Sequence, residues 1–592
     1  MRRKNLHSAR IGSNPGIFFI FALLTIAVTY PLIWKMSSAA YGFMGDSFGA
    51  IWHSWWIKYQ PFPIDFSGSI RNFFWEGLLR LFLFAFDEIF TYNLIVLMSF
   101  FLSAITMFYL VDYLTRNKLA AMFSGIIYAF CPYHFVHSYQ HLTLANIQWM
   151  PLYVLTLLKL NETKTFRSAI FCGMAFSLVF LSDYYYGYFM GIFTALFILF
   201  AGIYNWHRQK VRIKDFKIIS VAILVALIII LPFTYHIFKI LLSASRTVLE
   251  QTGGIRPLSD LLIFSARPLD YLIPSKYNPF LGRFIPDLGI SIWRGHRYIE
   301  HTLFLGYIPL ILAGIALRNN WKRKKIIAQR ERFAISFFAF AVLAGVLISA
   351  PPFLPLGHFS IDTISREVIC RHKLFLPSYF LYKIAPMFRC YARFGIIVML
   401  SVSVLAGFGL KFILEKTESR QKKIGLFILL SSLLFIEFAD FPPFRITDVH
   451  KPPAVYQWLS QQPGNFAIIE YPLAKSNDSS AFQEYVFWQR VHQKRLINGC
   501  PDRLNEEIRK KIIDISNPEI LSTLTGLGAR YVIVHQDKYR KGNIYIPFEW
   551  LTTPPRYKIY PSGYNNGRVP VVADGLELVK RFGETLVYKI KK

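Results

Sequence analysis

The apolar residues of this chain are gathered into blocks close to membrane-spanning length, separated by short charged stretches. The blocks are too long for strands and lack the alternation of a membrane β-barrel. The first runs from about Pro15 to Trp34, behind the basic start MRRKNLHSAR. Others fall at roughly 89–114, 119–137, 142–160, 168–184, 186–205, 216–238, 301–317, 333–350, 394–414 and 424–440. The pattern predicts an α-helical polytopic membrane protein with about eleven transmembrane helices. The first block resembles a signal peptide, with Ser37–Ala40 as a conceivable cleavage site. Its length, and Pro31 and Trp34 at its end, suit a retained helix instead.

If the N-terminus is cytoplasmic, five loops fall inside: TRNK, NETKTFR, NWHRQKVRIKDFK, RNNWKRKKIIAQRER and EKTESRQKK. All carry Lys or Arg, the arrangement that sets orientation in a membrane. The expectation is therefore N-in, C-out. Residues 1–440 would form a transmembrane domain with long outer loops at 35–88, 239–300 and 351–393, and long loops in a compact bundle are usually functional. Residues 441–592 read differently. AVYQWLSQQPG suits a helix, NFAIIEYPL a strand, EILSTLTGLG and ARYVIVH another helix and strand, and LELVKRFGETLVYKI a hairpin. That order predicts an extracytoplasmic α/β domain.

Composition agrees with a membrane setting. The 592 residues are 54% hydrophobic and 17% aromatic, unusual for a soluble chain of this length. The formal charge of +31 would raise the question of nucleic acid in a soluble protein, but the cations sit in the short loops, where orientation and anionic lipid account for them. No nucleic-acid motif is present. The five cysteines lack metal-ligand spacing; Cys370 and Cys390 would be close enough in an outer loop to pair, though unpaired thiols fit as well.

The candidate chemistry begins at YGFMGDSFGAIWHSWW, Tyr41–Trp56. Asp46 stands just past the first apolar block, and Trp52, Trp55 and Trp56 share one face of a following helix. Such a face suits a helix lying among lipid headgroups. Asp46 at its start would be stabilised by the helix dipole, and spacing alone favours a simple N-cap. The same loop holds Asp65, Glu76, Asp87 and Glu88, any of which would add a second carboxylate for acid/base work or a divalent ion.

This layout resembles the GT-C superfamily of glycosyltransferases, whose shared mark is an acid in the first outer loop after the first transmembrane helix. Asp46 occupies that place, and Glu76 lies where some members carry a second acid. A closer resemblance is to bacterial GT-C-like membrane proteins. It rests on GDSFGAIWHSWW, FSGIIYAFCPYHFVHSYQHLTLANIQWMPL, FLGYIPLILAGIAL, APMFRCYARF and AVYQWLSQQPG…IIEYPL. The resemblance implies transfer of a sugar from a polyprenyl-phosphate donor to an acceptor hydroxyl of the cell envelope. It implies inversion in a single displacement at the extracytoplasmic face, Asp46 as the base, and a possible divalent cation.

Other polar residues lie at outer span ends. His134, His137 and His141 cluster without a nearby acid in sequence, so hydrogen bonding is favoured over zinc, with His141 and Gln148 as candidates for the acceptor path. Asp183 would bind sugar hydroxyls or pair with a loop Arg, and Tyr184–Tyr186 read as an interfacial belt. Arg389 and Arg393, four apart, suit either a carrier phosphate or lipid headgroups, and Glu300 would order a loop arginine or a sugar. Two rivals stay open. A transporter or flippase of lipid-linked sugars would want ionisable groups within spans. A non-catalytic envelope scaffold would place its working part in the tail, where no nucleophile constellation or phosphate loop is evident.

Overall fold

The computed structural model describes residues 15–42, 45–59, 73–205, 213–243, 255–285, 298–322, 326–355, 359–361, 368–370, 372–442, 445–473, 483–499, 506–540 and 571–591. It is mostly helical, as a polytopic membrane protein should be. Among the described residues five helices are long and apolar enough to cross a membrane: Glu88–Thr115, Tyr184–Tyr204, Phe216–Tyr235, Gln329–Ser349 and Tyr391–Lys416. A sixth candidate is the pair Lys118–Ala129 and Pro132–Ser138, bent by 43°. The remaining expected spans coincide with shorter or more polar helices, among them Pro15–Val28, Trp149–Thr163, Phe166–Ser182, Tyr307–Lys322 and Arg420–Phe438.

The helix Gly395–Lys416 is the axis of the bundle. Nearly all its residues are buried, serines included, and Ser401 and Ser403 return their hydroxyls to carbonyls four residues back. Small residues set the close packing. A Cβ at Gly409 would run into the Leu312 carbonyl, and one at Gly407 into Ser124 and Val111. The helix Phe216–Tyr235 is the opposite case, largely uncovered, with Ile223, Leu224 and Ile228 outward. In lipid that exposure is inexpensive.

The segment after the first helix is stitched to the bundle by one buried asparagine. Asn93 donates to the carbonyls of Met36 and Ala39 and accepts from the Tyr41 N–H. The other edge of the strand Ala39–Tyr41 pairs antiparallel with Ile446–Asp448. The site loop is thus held between the bundle and the tail.

In the tail a five-stranded sheet runs in the order Leu576–Phe582, Thr585–Ile590, Ala529–His535, Ala467–Tyr471, Arg495–Leu496. The hairpin pairs antiparallel and the inner strands parallel, with Ile469 opposite Val532. Ala467–Tyr471 is buried along its whole length, as a central parallel strand covered on both faces should be. A second core of Ile469, Ile512, Ile520, Leu524 and Val532 lies between sheet and helices.

Candidate functional site

Asp46 is the first residue of the helix Asp46–Tyr59. The cap position falls to Gly45, whose carbonyl accepts the first helical bonds from Phe48 and Gly49. The Asp46 carboxylate makes no capping bond among the described residues. It is half exposed and lies 3.3 Å from Nε2 of His141. The turn that brings them together depends on Gly42, at φ +110°. A side chain there would drive into the carbonyl oxygen of Tyr139, two residues before His141.

From His141 a polar line runs inward. Its Nδ1 lies 3.2 Å from Nδ1 of His137, which is fully buried. Beyond His137 stands the pair Glu300 and Arg393, joined by contacts of 2.6, 3.0 and 3.2 Å and almost closed to solvent. Burial pushes the Glu300 carboxyl up, but the Arg393 guanidinium beside it holds it well below the usual carboxylate range. Arg393 also lies over the Tyr185 ring, 4.7 Å from its centre. Asp183 joins from the side, accepting from Thr143 Oγ1 at 3.0 Å and the Tyr185 N–H at 2.9 Å.

A second cationic group lies nearby. Arg389 donates to Asp260 at 2.7 Å, and its backbone N–H donates to the Tyr185 hydroxyl. Arg256 faces the same group: burial, then the charge of Arg389, lowers its pKa, with Asp260 opposing. Arg389 is bonded to Asp260, and Arg256 feels the charge of both, so the three together carry a net positive charge.

Five of the residues expected from sequence therefore meet in one place: Asp46, His141, Asp183, Glu300 and Arg393. Arg389 stands beside them through Tyr185. Glu76 is on the helix Phe73–Leu83, but its side chain lies outside the described residues, as does Asp65. Gln148 is buried and donates to Asn146 Oδ1. His134 is structural, bridging Ser99 and the Ala129 carbonyl. Tyr185 and Tyr186 are turned into the protein rather than along a belt: Tyr186 meets the Tyr133 hydroxyl and the Leu144 carbonyl. The tryptophan face also differs. Trp52 donates to Gln489 of the tail helix Gln483–His492, and Phe48 stacks on Phe487 at 4.1 Å. Arg490 pairs with Glu88 at 2.9 Å. This helix leans on the tail as well as on the membrane side. Cys390 is a free buried thiol; the side chain of Cys370 lies outside the described residues.

For a divalent cation the fit is poor. Asp46 and His141 supply two donors, and among the described residues no group of three His, Cys, Asp or Glu side chains could hold a metal ion. Sequence reasoning missed Arg256 and Asp260, which lie in the 239–300 segment four residues apart; their only signal is charge in a long segment between apolar blocks.

The model of the family described as bacterial membrane protein YfhO matches residues 77–281. No curated protein matches the chain by sequence. Among solved structures, an oligosaccharyltransferase from Archaeoglobus fulgidus matches with a TM-score of 0.50 and 12% identity, covering 89% of this chain and 70% of that one. The arabinofuranosyltransferase AftD from mycobacteria matches with a TM-score of 0.49 and 12% identity, over 98% of this chain and 40% of that one. The GT-C resemblance read from the sequence holds at the level of fold.

Proposed function

We propose that the protein is a membrane glycosyltransferase, moving a sugar from a polyprenyl-phosphate-linked donor to an acceptor hydroxyl at the extracytoplasmic face. The observation that carries this reading is the placement of Asp46. Its open carboxylate is set against His141 at the outer end of a buried polar line, in a chain whose fold is that of an oligosaccharyltransferase.

In this reading the free oxygen of Asp46 takes the proton of the acceptor hydroxyl. The hydroxyl oxygen attacks the anomeric carbon as the bond to the phosphate oxygen breaks, and the phosphate leaves with the electron pair. A single displacement inverts the anomeric centre. The departing charge needs a cation. Arg393 is committed to Glu300, so its part is to shape the wall. Arg256 and Arg389, with one aspartate between them, have positive charge in surplus and suit a phosphodiester. Asp183 would face the sugar or acceptor, and the tail would cover the site.

The test is Asp46→Asn, which keeps the size of the side chain and removes the base. Transfer of labelled sugar from a pool of bacterial polyprenyl-phosphate sugars into envelope material should cease, with expression unchanged. Survival of transfer would reject the base. Reporter fusions after Glu415 and after Phe441 should lie on opposite sides of the membrane, and a common side would reject the outer-face placement.

A further inference from the structure

The two histidines beside Asp46 carry more information than their positions alone. Between two neutral imidazoles in contact through Nδ1, one nitrogen donates and the other accepts. Two observations choose the direction. Nε2 of His137 is buried and has no hydrogen-bond partner among the described residues. A proton there would be an N–H with nothing to receive it, so the proton belongs on Nδ1, where His141 accepts it at 3.2 Å. The second observation is at the far end. If His141 were the Nδ1 donor, its bare Nε2 lone pair would face the Asp46 carboxylate at 3.3 Å, two electron-rich atoms in contact. With Nδ1 accepting, Nε2 carries the proton and points a donor at the carboxylate.

We infer that His137 fixes the tautomer of His141, and that His141 in turn holds Asp46 through Nε2–H, so that one carboxylate oxygen is occupied and the other is left for the acceptor. His137 and His141 are then positioning residues. The charges facing the pair are Glu300 and Arg393, already paired with each other, and Asp46, with His134 as the other ring nearby. The placement of a base rests on the reading of Asp46 given above; the tautomer does not.

Two measurements separate them. The first is the ¹⁵N spectrum of the full chain in lipid nanodiscs with labelled histidine, the His141 signals being those lost in His141→Gln. The expected wild-type spectrum has His141 unprotonated at Nδ1 and protonated at Nε2. In His137→Leu this should give way to a mixture of tautomers. In His137→Gln, whose amide can still donate, the wild-type pattern should persist. A protonated Nδ1 in the wild type, or a His141 spectrum indifferent to His137→Leu, overturns the proposal; the wild-type and Gln spectra decide even if the Leu variant fails to fold. The second measurement is transfer. His137→Leu should lower kcat by about tenfold or more with KM little changed, and His137→Gln should restore most of it. Equal activity of the Leu variant overturns the positioning role. An active Asp46→Asn with the expected spectrum would instead remove the base and leave the histidine chain standing.

Discussion

Replacing Arg393 by Gln should damage the protein far more than the loss of one surface charge would. The guanidinium makes three contacts of 2.6–3.2 Å with Glu300, and the two side chains are only 13% and 7% exposed. Without Arg393 the Glu300 carboxylate stays in a space that water hardly enters. Stranding one member of a buried pair costs about 3–5 kcal/mol. Replacing both, Glu300→Gln with Arg393→Gln, leaves no stranded charge and should cost less than either single change. The protein supplies its own reporter. Cys131, Cys172 and Cys390 are free and buried, so a thiol-reactive dye follows unfolding in detergent as temperature rises. The single variants should melt several degrees below wild type, with the double variant between. If Arg393→Gln melts with wild type, or if the double loss equals the sum of the single losses, the pair is not coupled and the reasoning fails.

Three further outcomes are expected. Arg490→Gln strands Glu88, whose side chain is 13% exposed, at a cost of about 3 kcal/mol, the lower end for a broken buried pair; protease should then reach the tail more readily. Gly42→Ala forces a side chain into a left-handed backbone and into the Tyr139 carbonyl, costing on the order of 1–3 kcal/mol, and both the melting midpoint and transfer should fall. Burial holds the His492 imidazole down at about 4, against 6.5 in the open chain. The fold therefore favours the neutral ring. Its contribution is complete above pH 6.5 and is lost as pH falls from 6.5 through about 4, in total about 3 kcal/mol. Proteolysis of the tail should accelerate over that window, and His492→Gln should flatten the change.

What could be read in the sequence was local or positional. The apolar blocks predict helices because membrane thickness sets their length. The helix Ala454–Ser460 and the strand Ala467–Tyr471 follow from their own turn and alternation signals. Asp46 stands out by its distance from the first apolar block, and His141 by its neighbours. What could not be read were pairings across long separations. Nothing local links Arg393 to Glu300, Arg256 to Arg389, or Trp52 to Gln489 across more than 400 residues. The tryptophan face illustrates the ambiguity: an aromatic stripe on an amphipathic helix fits a lipid surface or a protein surface, and only the partner decides. Tyr186 misleads for the same reason. Its hydroxyl finds a buried acceptor in the Leu144 carbonyl, which sequence does not display.

The strand Ala39–Tyr41 is completed by Ile446–Asp448, and the helix that begins at Asp46 rests on residues 483–492. A ribosome makes these partners some 400 residues apart in one direction only. While the bundle is being inserted, the loop bearing Asp46 has its neighbours Asn93 and His141 but no roof. Its final support arrives with the last quarter of the chain. A nascent or prematurely ended chain therefore has an unfinished site however well its membrane part is made, and the site is complete only after synthesis of the tail.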